Sequence, residues 1–281
     1  MSRFVFALLF AASASAAASR NNTTTTLTMA SDVENSLWLS AATYCSPDSY
    51  LTRKFVGPTE GFVATQTIYD KKSDTTGYIG YLPSDKHIYV LFRGSSSLQN
   101  WISDLDALKT AYTTFPECNC EVHKGFFDAE QQVASFVVDE VARLKSELTG
   151  YSVTVAGHSL GAALSHLMAM DIKKAGIDCN VINFGMPRVG TPDYAAFAAT
   201  QVPSTLRFTH HQDQVPHLPF ETVMSFHHVC TENYENEDGV VKQCDNSCED
   251  STCADQFAFV DTNWDDHHIY LGLPLECGQV S

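Results

Sequence analysis

Residues 157–161 read Gly-His-Ser-Leu-Gly, a serine with a glycine two positions away on either side. At average residue usage such a pentapeptide arises by chance in roughly one chain in ten of this length, so its context decides what it means. It follows Tyr-Ser-Val-Thr-Val, a β-branched run that predicts a strand, and it opens a helix-forming stretch over residues 160–176. A serine on a tight turn from strand to helix projects its hydroxyl from the strand end, at the positive N-terminus of the helix. That is where a nucleophile is needed. A hydroxyl is a weak nucleophile at neutral pH, so Ser159 requires a base within hydrogen-bond reach and an acid to orient that base. For a serine so placed, the acid and then the histidine follow in the chain. The candidate acids are Asp193, Asp213, Glu221, Asp261, Asp265 and Asp266. Asp213 is the best placed, a few residues after the strand-like Ser-Thr-Leu-Arg-Phe-Thr-His at 204–210. His217, His227, His228, His267 and His268 remain open as the base, whereas His210 and His211 precede the acid. With eleven histidines in the chain, most must be structural.

The elements around these residues alternate. Residues 76–83 and 87–92 are rich in β-branched and aromatic side chains on either side of a Ser-Asp-Lys turn, and predict a hairpin. Val133, Val137, Val141, Leu144 and Leu148 recur at helical spacing, predicting one long amphipathic helix over residues 128–148 that Gly150 stops. Strands at 151–157, 180–185 and 204–210, with the helix at 160–176 between the first two, predict a parallel sheet with crossover helices, an α/β domain. Residues 230–255 depart from this order. They hold four cysteines and eight acidic side chains against one lysine, with no apolar periodicity. They are expected to form a disulfide-pinned surface loop.

The chain has 281 residues, 44% hydrophobic and 18% charged, the composition of a globular protein with a substantial core. Its net charge of −16 argues against nucleic acid and anionic membranes as partners. The first twenty residues have the form of a secretory signal peptide: Arg3, an apolar run from Phe4 to Ala12, and small residues at Ala14, Ala16 and Ala18. Cleavage is expected near residue 18, followed by a flexible start over residues 19–36 carrying Asn-X-Thr sequons at Asn21 and Asn22. No later apolar run is long enough to span a bilayer. In an exported chain, cysteines are expected in disulfides. Cys230, Cys244, Cys248 and Cys253 are read that way, in preference to a zinc site. Nine cysteines leave one over, and Cys179, in an apolar run, is the expected free thiol.

Residues 95–108 carry Leu98, Trp101, Ile102 and Leu105 at i, i+3, i+4 and i+7, one apolar stripe on a short helix just after Arg93-Gly94-Ser95. Val-Thr-Val-Ala-Gly-His-Ser-Leu-Gly-Ala-Ala-Leu, Phe-Gly-Met-Pro-Arg-Val-Gly, Thr-His-His-Gln-Asp-Gln-Val-Pro-His-Leu-Pro and Asp-Asp-His-His-Ile-Tyr-Leu-Gly occur in this order in the chain. Together they resemble the filamentous-fungal class 3 lipases, a family that also includes feruloyl esterases, over about residues 37–277. The resemblance implies an α/β-hydrolase fold for residues 37–281, a mostly parallel sheet flanked by helices. It implies Asp213 as the acid and His267, three residues before Tyr270, as the base. It also implies an oxyanion hole from the N–H groups of Leu160 and Ser95, such donors being worth roughly 10²–10³ in rate each. The stripe at 98–105 then falls in a lid over about residues 95–106. Burying four large apolar side chains, at about 1.5–3 kcal/mol each, favours closure in water, and a lipid surface removes that advantage. Cys45 and Cys277 match a family disulfide that clamps the termini. Cys118 and Cys120 resemble a local one, but stand one residue closer together.

The expected function is a secreted, extracellular serine ester hydrolase, a triacylglycerol lipase acting on lipid esters at lipid–water interfaces. It is expected as a monomer without metal or organic cofactor. A feruloyl-type esterase or a phospholipase on the same fold is the alternative, the apolar stripe arguing against the former. From another class, a catalytically silent secreted binding protein would be expected to have lost one of Ser159, Asp213 or His267.

Overall fold

Continuous apolar runs in the predicted strands mean burial on both faces, and the computed structural model, which describes residues 30–95 and 107–280, shows why. Helix α1 (Ser31–Ala42) leads into an antiparallel meander of β1 (Val63–Asp70), β2 (Thr75–Leu82) and β3 (His87–Phe92). A two-stranded ribbon, β4 (Lys109–Ala111) with β5 (Glu121–His123), precedes helices α2 (Lys124–Gln131) and α3 (Ala134–Glu147). Then come β6 (Ser152–His158), α4 (Leu160–Lys174), β7 (Asn180–Phe184), α5 (Pro192–Gln201), β8 (Thr205–His210), β9 (Glu232–Glu235) and β10 (Val241–Gln243).

The eight-stranded sheet has the order β1-β2-β3-β6-β7-β8-β9-β10. The strands from β3 through β9 in that order run parallel. Successive side chains alternate between two cores. Val90, Val155 and Val181 face the helices α2 to α5 through residues such as Val137, Leu164 and Tyr194. Leu91, Ala156 and Ile182 face Leu37 and Leu39 of α1, together with Tyr270 and Leu275 near the C-terminus. The C-terminal ends of β6, β7 and β8 thus share one edge, where ligands of open parallel sheets sit.

Three expectations change. The helix predicted over 128–148 is two helices: Gln132 and Val133 donate to Ala129 and Glu130, three residues back, tightening the turn between α2 and α3. Val137, Val141 and Leu144 are buried as the stripe requires, so the spacing survives a break it cannot reveal. Within the expected flexible start over 19–36, residues 31–36 are instead helical, because α1 begins at Ser31 and buries Val33. The third concerns residues 230–255, which contribute β9 and β10 to the main sheet. The two glutamates of β9 are buried with partners: Glu232 takes bonds from Thr209 Oγ1 and the Ala254 amide, and Glu235 from the Leu271 amide. Polar residues that find partners inside defeat a reading based on apolar alternation.

The disulfides are Cys45–Cys277, Cys118–Cys120, Cys230–Cys248 and Cys244–Cys253. Cys179 is the free thiol, and burial pushes it up to about 12. The signal segment, both sequons and the lid residues Leu98, Trp101, Ile102 and Leu105 lie outside the described residues.

Candidate active site

Ser159 stands at the end of β6 with φ +60° and ψ −130°, a conformation a non-glycine residue adopts only when its surroundings impose it. Its amide donates to Phe184 O at the end of β7 (3.0 Å), which fixes the turn to the sheet. The helix that follows approaches β3 closely: a Cβ at Gly161 would stand 2.2 Å from Phe92 O. Glycine is therefore required there, which is the physical content of the pentapeptide. Leu160 is the first residue of α4, where backbone N–H groups have no partner within the helix. The chain after β3 runs beside the serine, since a Cβ on Gly94 would lie 3.0 Å from Ser159 Cβ. Half-buried Ser95 follows directly.

Asp213 and His267 come together across the same edge. Asp213 follows β8, is 2% exposed, and accepts His267 Nδ1–H at 2.9 and 2.8 Å on its two oxygens. It also accepts the Val215 amide at 2.8 Å and the hydroxyl of Tyr270. With Nδ1 as the donor, the lone pair of His267 is on Nε2. That atom is buried and has no hydrogen-bond partner among the described residues, and the same holds for Ser159 Oγ. Both groups are buried and no hydrogen bond joins them; an oriented imidazole nitrogen and a hydroxyl so placed have the chemistry of a base and a nucleophile.

His158 ties the two halves together. Burial, reinforced by the neighbouring His267, holds its ring well below the usual histidine range, so it is neutral and has one N–H. Its Nε2 lies 2.9 Å from the His267 carbonyl, which can only accept, so the proton is on Nε2. Nδ1 must then accept, and the Tyr44 hydroxyl donates to it at 2.5 Å. The ring preceding Ser159 thus holds the backbone of His267, with the two imidazoles 4.3 Å apart.

The comparisons with known proteins agree with this geometry. The family model for lipase (class 3) matches residues 89–223. A Rhizomucor miehei lipase is 32% identical over 245 residues, 84% of this chain and 66% of that protein. A solved triacylglycerol lipase, whose catalytic centre is described as a serine protease triad, is 30% identical. It superposes with a TM-score of 0.80, covering 88% of this chain and 95% of its own. The chain belongs to the class 3 lipase family. A secreted mono- and diacylglycerol lipase 1 of Fusarium solani is 34% identical over 161 residues, 56% of this chain and 47% of that protein. The chain spans 66% and 47% of the length of these two curated relatives.

Within this lipase family site, the remaining sequence candidates have other work. His268 is exposed. Asp266 accepts the Gln212 amide and pairs with His211. His228 donates Nε2–H to Pro216 O, and His217 and His227 stand against Asp255 and Glu249. Asp193, Glu221, Asp261 and Asp265 have no bond to His267 among the described residues. Tyr44, Tyr270 and Gly185 are site residues the sequence reading missed. Tyr270 served there only as a landmark for His267, and Gly185 was visible as the glycine of Phe-Gly-Met-Pro.

Proposed function

We propose that this chain is an exported triacylglycerol lipase acting at lipid–water interfaces, with Ser159 as nucleophile, His267 as base and Asp213 as the orienting acid. The observation that carries this reading is the pair of bonds from His267 Nδ1 to Asp213, which leaves Nε2 and Ser159 Oγ buried and unengaged. Ser159 Oγ attacks the acyl carbonyl carbon and its proton passes to His267 Nε2. The oxygen that gains the charge is stabilised by the Leu160 and Ser95 amides. Collapse breaks the bond to the alcohol, which leaves with the proton from His267. Water then repeats the sequence on the acyl enzyme, releasing the fatty acid and restoring the serine. Asp213 keeps the imidazole in one tautomer and stabilises its cation, and no step needs a cofactor.

Export rests on the N-terminal sequence and on relatives named as secreted. Among the described residues no helix is long and apolar enough to cross a membrane. Interfacial action rests on the apolar stripe at 98–105. The test is hydrolysis of a short-chain triglyceride measured through its solubility limit, for wild type and Ser159→Ala. A jump in wild-type rate where droplets form, with no activity in the variant, is expected. Hydrolysis of dissolved ester without a jump would remove the interfacial part of the proposal. An inactive wild type that also resists an active-site phosphonate would remove the rest.

A further inference from the structure

Helix α1 packs on β3, β6 and β7, and beyond its first turn the strands β8 to β10 leave a hollow on the same face of the sheet. Its volume is about 470 Å3, inside the range of about 300–1,000 Å3 usual for small-molecule sites. Leu206, Phe208 and Val241 line it from the strands, and Val33 and Leu271 line it from α1 and the C-terminal segment.

Two polar side chains break this apolar lining. Asn233 and Glu235 alternate on β9, so both face the hollow, at 8% and 4% exposure. Glu235 Oε2 takes the Leu271 amide at 2.7 Å. Asn233 Nδ2 is buried and has no partner among the described residues. An orphaned buried donor is destabilising, and a valine would fit this strand without that cost. The donor is explained if a ligand atom completes the bond.

The chemistry of that ligand follows from the lining. Asn233 Nδ2 calls for an acceptor such as a carbonyl oxygen. Two residues on, the Glu235 carboxyl has an oxygen beyond the one bonded to Leu271, which suits a hydroxyl donor. The rest of the hollow calls for an alkyl chain. The Glu235 carboxyl and the net charge of −16 disfavour an anionic head. We propose that this hollow binds a monoacylglycerol, with its ester carbonyl on Asn233, a glycerol hydroxyl on Glu235 and a medium-length acyl chain against Leu206, Phe208 and Val241. The choice of an acylglycerol rests on the proposed function, whereas the site itself rests on the lining.

The experiment is calorimetric titration of the full mature chain, its active site blocked by a phosphonate on Ser159, with monodecanoylglycerol below its micellar concentration. Saturable binding at one site is expected. Asn233→Leu should weaken it about tenfold while raising the unfolding midpoint, because an orphaned donor is removed. A merely structural asparagine would give a lower midpoint and unchanged binding. Val241→Phe should fill the hollow and abolish binding, and it keeps the proposal testable if Asn233→Leu fails to fold. The proposal is overturned by non-saturable binding or by binding that neither variant alters. Equal or tighter binding of decanoate would also overturn it, as would cross-links placing the chain's own residues 21–29 against Asn233 in the free protein. Binding needs no turnover, so an inactive wild type that still binds would defeat the hydrolase reading alone. An active wild type that does not bind would defeat this proposal alone.

Discussion

Gly185 offers a sharp test of the proposed site because it has no side chain of its own and yet abuts His267, Tyr270 and Asp213. It follows β7 directly at φ +59°, and a Cβ there would stand 2.8 Å from His267 Cε1, 2.8 Å from the Tyr270 hydroxyl and 3.0 Å from Asp213 Oδ2. Comfortable separations are about 3.5–4.0 Å, so in Gly185→Ala these groups must retreat by about 0.5–1 Å. A misplacement of that size in a catalytic constellation costs on the order of 10²-fold in rate. The left-handed backbone adds about 1–2 kcal/mol of strain and overpacking about 1–3 kcal/mol, so a stability loss of about 2–5 kcal/mol is expected. The assay is kcat on a dissolved short-chain nitrophenyl ester, which removes the interface from the comparison, alongside urea unfolding. Gly150→Ala is the control: its φ is +85° and nothing lies within 4 Å of its Cβ, so it should lose only the backbone term and keep kcat. A Gly185→Ala enzyme that folds and keeps kcat within threefold of wild type would refute the assignment of His267 and Asp213.

Three further outcomes are expected. Tyr44→Phe removes the donor to His158 Nδ1, freeing that ring to change tautomer and release the His267 carbonyl; kcat should fall about tenfold at unchanged KM, with about 1–3 kcal/mol of stability lost. Replacing Cys45 and Cys277 by serine opens a loop of sequence separation 232 and should cost about 5 kcal/mol in the chain-entropy account, read as the shift in urea midpoint. Burial, and then the Asp171 carboxyl beside it, raise Glu130 well above the usual carboxylate range. The folded state then holds a proton the unfolded state loses above about pH 4.5, so stability present below that pH declines as pH rises towards the folded value. Glu130→Gln should therefore stabilise at pH 8 and change little at pH 4, and an equal gain at both would contradict this.

The parallel strands were legible because burial on both faces makes them unbroken apolar runs, and Val153, Val155, Val181 and Ile182 are buried as such runs require. Helix ends were less legible. Lys124 begins α2 because the His123 ring accepts the Phe126 amide, a cap outside the usual Ser, Thr, Asp and Asn set. In the site, Ser159 was readable from its turn chemistry, since the Gly161 close approach is written in the sequence. Asp213 was readable from its place after β8. His267 was not separable from His268 on residue types alone. What separates them is which neighbour faces Asp213, and a 3₁₀ turn over Asp265–His268 decides that by burying His267 and exposing His268. Tyr44 lies 114 residues before its partner His158, a pairing that no local pattern carries.

The acidic, cysteine-rich segment, read as a solvated loop apart from the chemistry, reaches it through Glu249. Its carboxylate, 7% exposed, receives Arg188 Nε and Nη2 at 2.8 and 2.7 Å and the His228 amide at 2.7 Å. His228 in turn donates to Pro216 O at 2.7 Å, and the Arg188 amide donates to Leu218 O at 2.7 Å. Residues 216–218 follow Asp213 by only a few positions, so one buried ion pair ties both strands of support to the loop that carries Asp213. The Cys230–Cys248 bridge holds the residue next to Glu249. Glu249→Gln keeps the shape but leaves the Arg188 charge to Asp255, at 3.3 Å, and the Pro219 carbonyl. Removing one partner of a buried pair costs about 3–5 kcal/mol, and the remaining carboxylate places this case near the lower end. If the brace positions Asp213, kcat on a dissolved ester should fall while KM stays constant, and Glu249→Asp should recover part of it. If instead stability falls and kcat holds, the segment supports the fold alone and the acid is positioned by Tyr270 and the Val215 amide without it.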